Sequence, residues 1–184
     1  MVLKWLIGLA NFSLSFFAIL LNLLIFLPVF RLAFVSRKST IYIIAFFNIL
    51  ADLLQLSITC FHLSASIMAD RYILATDRLG FQSVLLGGLF MSAWYMECLV
   101  QIVMAVNSTI IIFILIICIT TFSAICMQYI FPCCRFIIDQ NAMSYLQVEV
   151  KGLYNYSNAL LLFYNVSCTS ISILCYMSVW LSIV

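Results

Sequence analysis

Charge is what this sequence has least of. Eight Lys/Arg and six Asp/Glu amount to 8% of 184 residues and leave a net charge of +2. A soluble domain carries about 25% charged residues, so this set cannot cover an aqueous surface. Nucleic-acid recognition starts from a clustered basic face, and the few basic residues here are scattered, which excludes nucleic acid as a partner. Disorder needs low hydrophobicity and high charge, and is excluded too. Proline occurs twice and glycine five times, so the apolar runs are seldom broken. Histidine occurs once, at His62, too few for a zinc site that needs three or four ligands. No Ser/His/Asp or Cys/His arrangement and no glycine-rich phosphate loop stands out. Neither enzyme chemistry nor a cofactor is expected.

What is abundant is hydrophobic, 67% of the chain. Long unbroken apolar runs point to helices crossing a lipid bilayer, because backbone polar groups in lipid must be satisfied internally. Strands of a barrel would instead alternate over about 10 residues. The fold class expected is all-α, a polytopic membrane helix bundle with the bilayer as its main partner. The eight cysteines are Cys60, Cys98, Cys118, Cys126, Cys133, Cys134, Cys168 and Cys175. Most sit in apolar runs, where a free Cys behaves as a small hydrophobe. Cys133 and Cys134 sit at an expected membrane boundary.

A spanning helix needs about 20 mostly apolar residues. Five segments qualify, at about 3–30, 40–67, 81–107, 109–131 and 159–184, and together they read as a single transmembrane domain over 1–184. The first begins with Lys4 like a signal peptide, but its apolar stretch outruns a secretory core of about 7–15 residues, so it reads as a retained helix. The loop RLAFVSRKS carries Arg31, Arg37 and Lys38 without an acid. Short basic loops stay inside, which places the N-terminus outside and the loop before segment five outside as well. The sequon at Asn155 lies in that outer loop and is a candidate glycosylation acceptor. Those at Asn11, Asn107 and Asn165 fall within spans or at the inner turn and read as chance matches.

Segments three and four run together. From Phe81 to Phe131 there is one charge, Glu97, and no proline. As one helix this stretch of about 51 residues would reach roughly 76 Å, against a hydrocarbon core of about 30 Å. It must fold back, and its polar midpoint is Asn107-Ser108-Thr109. Either a tight hairpin forms there or a loop has been deleted.

Two acids fall deep in spans, Asp52 and Glu97. An ionisable group at mid-membrane costs at least about 2.5–3.5 kcal/mol and is a functional hypothesis by default. Each has an amide four residues away on the same helix face, Asn48 for Asp52 and Gln101 for Glu97. Asn22 lies at a similar level in the first span. With no base at this depth, at least one of the two acids is expected to be protonated or bound to a cation. The arrangement reads either as a polar switch or as interhelical hydrogen bonding that holds the bundle together. Gly87, Gly88 and Ser92 offer segment three a face for close helix approach. Asn165, Ser167, Thr169, Ser170 and Ser172 in segment five either line an interior or bond their own helix. Trp94 and Tyr95 are candidates for the floor of an outward pocket.

Asn22 in the first span, IYIIAFFNILADLLQL around Asp52, AWYMECLVQIVMAVN ending the third, QYIFPCCR and GLYNYSN resemble the nematode serpentine chemoreceptors of class x. The resemblance covers about 41–184, with a weaker match in segment one. It implies a seven-helix receptor of the plasma membrane that binds a small molecule or peptide outside and activates a heterotrimeric G protein inside. By that resemblance Asp52 matches the second-helix acid that tunes activation, Asn22 is its first-helix partner, and Asn107 is the Asn of an Asn-Arg pair ending the third helix. The chain departs from the pattern at Ser108, which stands where the family has Arg. The basic second inner loop and helices six and seven have no counterpart, and no Cys opens segment three to pair with Cys133 or Cys134. A truncated and internally deleted receptor, unable to couple to a G protein alone, is the expectation. The alternatives are a five-span accessory protein associating with full-length receptors and, ranked last, a small ion-coupled transporter using Asp52 and Glu97.

Overall fold

A computed structural model describes residues 2–74, 79–106, 119, 122–123, 126–131, 135–148 and 150–183. Among the described residues the chain is a helical bundle with one small β-hairpin. Helix α1 runs Val2–Phe30 and continues through a wider π-helical turn at Arg31–Val35. Pro28 lies inside it, and its missing N–H frees a carbonyl one turn back. Helix α2 runs Thr40–Ala69 with a π-helical stretch at Ile58–Ser64. Helix α3 spans Phe81–Val106, and α4 spans Tyr156–Ile183. The expected segments 3–30, 40–67, 81–107 and 159–184 lie beside these four. Of the expected 109–131 only a few residues are described, including a π-helical turn at Cys126–Ile130.

Three of these helices are long and apolar enough to cross a membrane: Val2–Val35, Thr40–Ala69 and Phe81–Val100, with mean hydropathies of 2.4, 1.9 and 1.5. In α4 the described apolar stretch is shorter, Leu161–Ile171. The surface makes the same point. Leu14, Leu24 and Leu27 on α1 are 70%, 73% and 70% exposed, and a continuous apolar surface of that kind is what a lipid-facing helix presents.

Local chemistry sets the helix ends. Ser39 is extended and caps α2, its hydroxyl accepting from Ile41 N at 3.4 Å, the usual role of Ser before a helix. At the other end Asp70 turns left-handed, with φ 51°. Its N–H reaches Ile67 O and that of Arg71 reaches Ser66 O, both at 3.3 Å, the paired bonds of a Schellman ending. Within the π stretch the Ser64 hydroxyl donates to Thr59 O at 2.8 Å, five residues back, a spacing that the wider turn brings into register.

Helices α1 and α2 are antiparallel neighbours along their whole length. Lys4 Nζ pairs with Asp70 Oδ1 at 2.6 Å. One turn on, Gly8 meets Ser64 and Met68 so closely that an added Cβ would lie 2.6 Å from Met68 Cγ. Cys60 Sγ sits 3.8 Å from Phe12 O. At the opposite end the Phe46 ring packs against Phe26, Phe30 and Phe34 with centroids 5.1–5.8 Å apart.

The hairpin pairs β1, Phe136–Asp139, with β2, Ser144–Gln147, antiparallel in the register 136↔147 to 139↔144. Its turn places Met143 at φ 52°, and Asp139 Oδ1 accepts from Asn141 N at 2.8 Å. Both faces of β1 are covered, since Ile137 and Ile138 are 0% and 1% exposed. Ile138 joins Ile58, Leu63 and Ile67 of α2 in the core, with Leu86 and Phe90 of α3 and Tyr145 packed against it. Gly87 and Gly88 were read as a surface for a neighbouring helix. At Gly87 the neighbour is instead β1: a Cβ there would overlap the carbonyl oxygen of Phe136. A strand backbone approaches a helix this closely only where the side chain is absent.

Candidate functional site

The polar residues of α2 follow helical spacing. Asn48, Asp52, Gln55 and Thr59 recur at intervals of four, three and four, which stacks them on one face. Asn48 Nδ2 donates to Asp52 Oδ2 at 3.3 Å. One turn further along, Gln55 Nε2 donates across the helix boundary to Glu97 Oε1 on α3. The Asp52 and Glu97 carboxyl groups are themselves within hydrogen-bonding reach. Two helices are therefore joined by a four-residue network of two amides and two acids.

Depth makes this network expensive to assemble. Asp52 lies twelve residues beyond Thr40, about 18 Å along the helix, and Glu97 nine before Val106, about 14 Å. An ionised carboxylate only accepts hydrogen bonds, so a bond between two carboxyl groups requires a proton on one of them. Both amides point donors at the acids, which supports one remaining negative charge. Among the described residues the ion pair present is Lys4–Asp70, at the far end of α2.

The expected members of this core divide. Asn48, Asp52 and Glu97 come together. The side chain of Gln101 lies outside the described part; Gln55, three residues after Asp52, is an amide that does reach Glu97. Asn22 donates to Ala18 O of its own helix at 3.2 Å. Asn107 and Ser108 lie outside the described residues, as do Cys133 and Cys134.

Trp94 and Tyr95 form an aromatic cluster with Tyr164 of α4. The Tyr95 and Tyr164 rings meet edge-on at 5.0 Å, and Trp94 lies 6.3 Å from Tyr164. Both residues thus pack α3 against α4.

One turn above Gln55 the hairpin takes over. Thr59 Oγ1 lies 2.6 Å from Tyr145 Oη. The Tyr145 ring stacks on Phe90 at 3.8 Å, and on Phe136 at 5.8 Å. Burial pushes the Tyr145 phenol up to about 12, and the bond to Thr59 opposes that shift only in part. Nearby on α2 both His62 nitrogens and the Ser66 hydroxyl are buried without a hydrogen-bond partner among the described residues, as are Ser83 Oγ on α3 and Gln140 Oε1 in the hairpin turn. Buried polar groups are nearly always satisfied, so these mark the hairpin end as a region with unused bonding capacity. Asn155, the candidate glycan acceptor, caps α4: its Oδ1 accepts from Asn158 N at 3.3 Å while Nδ2 donates to Gln147 Oε1 at 3.3 Å.

No known family model and no curated protein matches this chain.

Proposed function

We propose that the chain is a receptor-type protein of the plasma membrane, related to the seven-helix chemoreceptors, with its hairpin end outside. An extracellular small molecule or peptide acts there. The observation that carries this reading is a row of polar contacts along one face of α2. It runs from Tyr145 in the hairpin through Thr59, down one turn of α2 to Gln55, and across to Glu97 and Asp52. A ligand that moves the hairpin would pull on Thr59 in the π-helical stretch, where the backbone is already widened and π-bulges often serve function. The pull would be felt one turn below, at the link between α2 and α3. The unpartnered His62, Ser66, Ser83 and Gln140 are groups a polar ligand would satisfy. The heterotrimeric G protein expected from the resemblance is not engaged by this chain alone, because Ser108 replaces the family's Arg.

Topology tests the reading most directly. In intact cells expressing the full chain, an epitope inserted beside Gly152 should be accessible without permeabilisation, and one beside Arg37 only after it. A hairpin end facing the cytoplasm ends the receptor proposal. A library of small odorants and short peptides, screened against the purified chain for a raised unfolding midpoint that Tyr145→Phe abolishes, then tests ligand action.

A second reading has one observation in its favour. Leu50, Leu53, Leu54 and Ser57 of α2 and Ser92, Ala93 and Met96 of α3 line an open apolar groove of about 420 Å³. Small residues on such a face suit helix–helix contact in lipid, as an accessory protein riding on full-length receptors requires. Co-purification with such receptors without signalling would favour it.

A further inference from the structure

We propose that Cys98 and Cys168 form a redox-modification site, a thiol pair that an apolar hydroperoxide converts into a disulfide tying α3 to α4. Both are free thiols in the fold. The helices that carry them place them together. Tyr95 of α3 and Tyr164 of α4 touch edge-on at 5.0 Å. Cys98 lies three residues after the one and Cys168 four after the other, so each is about one turn further along the same face. Cys168 is 5% exposed, buried against α3 rather than turned to lipid.

The class of oxidant follows from depth. Cys98 is eight residues from Val106, about 12 Å along the helix, and its neighbour Glu97 belongs to the mid-membrane network. Charged oxidants do not partition there, whereas an organic hydroperoxide of the acyl-chain type does. The sulfur of one cysteine attacks the terminal oxygen of the hydroperoxide. The O–O bond breaks, the departing alkoxide takes the proton of the attacking thiol and leaves as an alcohol, and the sulfur becomes a sulfenic acid. The second thiol then attacks that sulfur, the S–S bond forms, the S–O bond breaks, and water leaves with the thiol proton. Two thiols are oxidised and one hydroperoxide is reduced. Cys60 is the internal contrast: fully buried, with its Sγ at the Phe12 carbonyl, it touches no thiol among the described residues.

The full chain in lipid nanodiscs is treated with cumene hydroperoxide, alkylated, digested under denaturing conditions and mapped by mass spectrometry. The expected product joins the Cys98 and Cys168 peptides with the loss of two hydrogens, returns to two alkylatable thiols after dithiothreitol, and leaves Cys60 alkylatable. With Cys168→Ser, Cys98 should stop at a sulfenic acid that dimedone traps. Recovery of both thiols free, their separate conversion to sulfinic or sulfonic acids, or pairing of Cys98 with another cysteine overturns the proposal. The wild-type map needs no variant to fold.

Discussion

The hydroxyl of Tyr145, in strand β2 of the packed hairpin, lies 2.6 Å from Thr59 Oγ1 in the π-helical part of α2. This contact adds a polar tie between the hairpin and the helix that carries the buried acids, beside the packing of Ile138 on Ile58, Leu63 and Ile67. Removing it by Tyr145→Phe keeps the ring stacked on Phe90 and leaves Thr59 without its partner. The expected loss is about 1 kcal/mol of stability, the net worth of one such bond, read from thermal unfolding in detergent. Thr59→Val should cost a similar amount, and the double variant should cost no more than about the larger single loss.

The same tyrosine gives a pH signature. Its phenol is raised from an unfolded value near 10 to about 12 in the fold, by burial. A raised value means that the folded state holds the proton longer than the unfolded one. The stabilising contribution is therefore complete below about pH 10 and is lost as pH climbs through about 12. A phenolate absorbance titration of the wild type minus Tyr145→Phe should show a late-ionising tyrosine. A difference curve centred at the ordinary value would contradict the packing around Tyr145.

Gly87 offers a steric test of the hairpin's seat. A Cβ there meets the Phe136 carbonyl oxygen and carbon and the Ile137 Cα, all backbone atoms, which cannot swing aside as a flexible side chain would. Gly87→Ala should cost about 1–3 kcal/mol, the range for overpacking. It should also open the 136–147 stretch to protease before the helices unfold. Equal protease resistance in wild type and variant would place the hairpin elsewhere.

How far the residues announced this architecture depends on the size of the signal each element carries. Stretches of twenty or more apolar residues announce themselves, and α1, α2 and α3 lie where hydropathy places them. The hairpin was invisible because FIID and SYLQ are four residues each, β1 is buried on both faces and so does not alternate, and the turn uses Met143 rather than glycine at its left-handed position. In the polar core Asp52 and Glu97 were legible from depth, and Asn48 from its spacing of four residues to Asp52. Gln55 stands at helical spacing from Asp52, but spacing within one helix says nothing about which side chain crosses to the next, so its bond to Glu97 was not legible. The π stretches depend on tertiary packing and leave no composition of their own.

The sequon at Asn155 allows topology to be read without disturbing the helix cap. Asn155→Gln would remove both the acceptor and the bond from Asn158 N, mixing two effects. Ser157→Ala removes the sequon and leaves the Asn155 cap in place. If the hairpin end faces outside, the wild-type chain from a secretory host should shift in mobility on glycosidase treatment and the Ser157→Ala chain should not. Identical mobility of both chains before treatment would mean that Asn155 carries no glycan.

The acid pair makes the sharpest prediction. Asp52 and Glu97 meet at mid-membrane with two amides and no base, and a bond between two carboxyl groups holds only while one proton stays between them. At neutral pH the wild type should show a protonated carboxyl stretch in the infrared, and Asp52→Asn or Glu97→Gln should each abolish or displace it. The neutral replacements should fold, because the amide keeps a donor or acceptor in the network. Glu97→Ala, which strands Gln55 and Asp52 with unmet bonds, should cost about 1–3 kcal/mol, the penalty of an unsatisfied buried polar group. Gln55→Leu should leave the infrared band in place and broaden it, since Gln55 orients Glu97 without supplying the proton. Two acids ionised together at neutral pH, with no protonated band in the wild type, would mean that α2 and α3 are not joined through this pair.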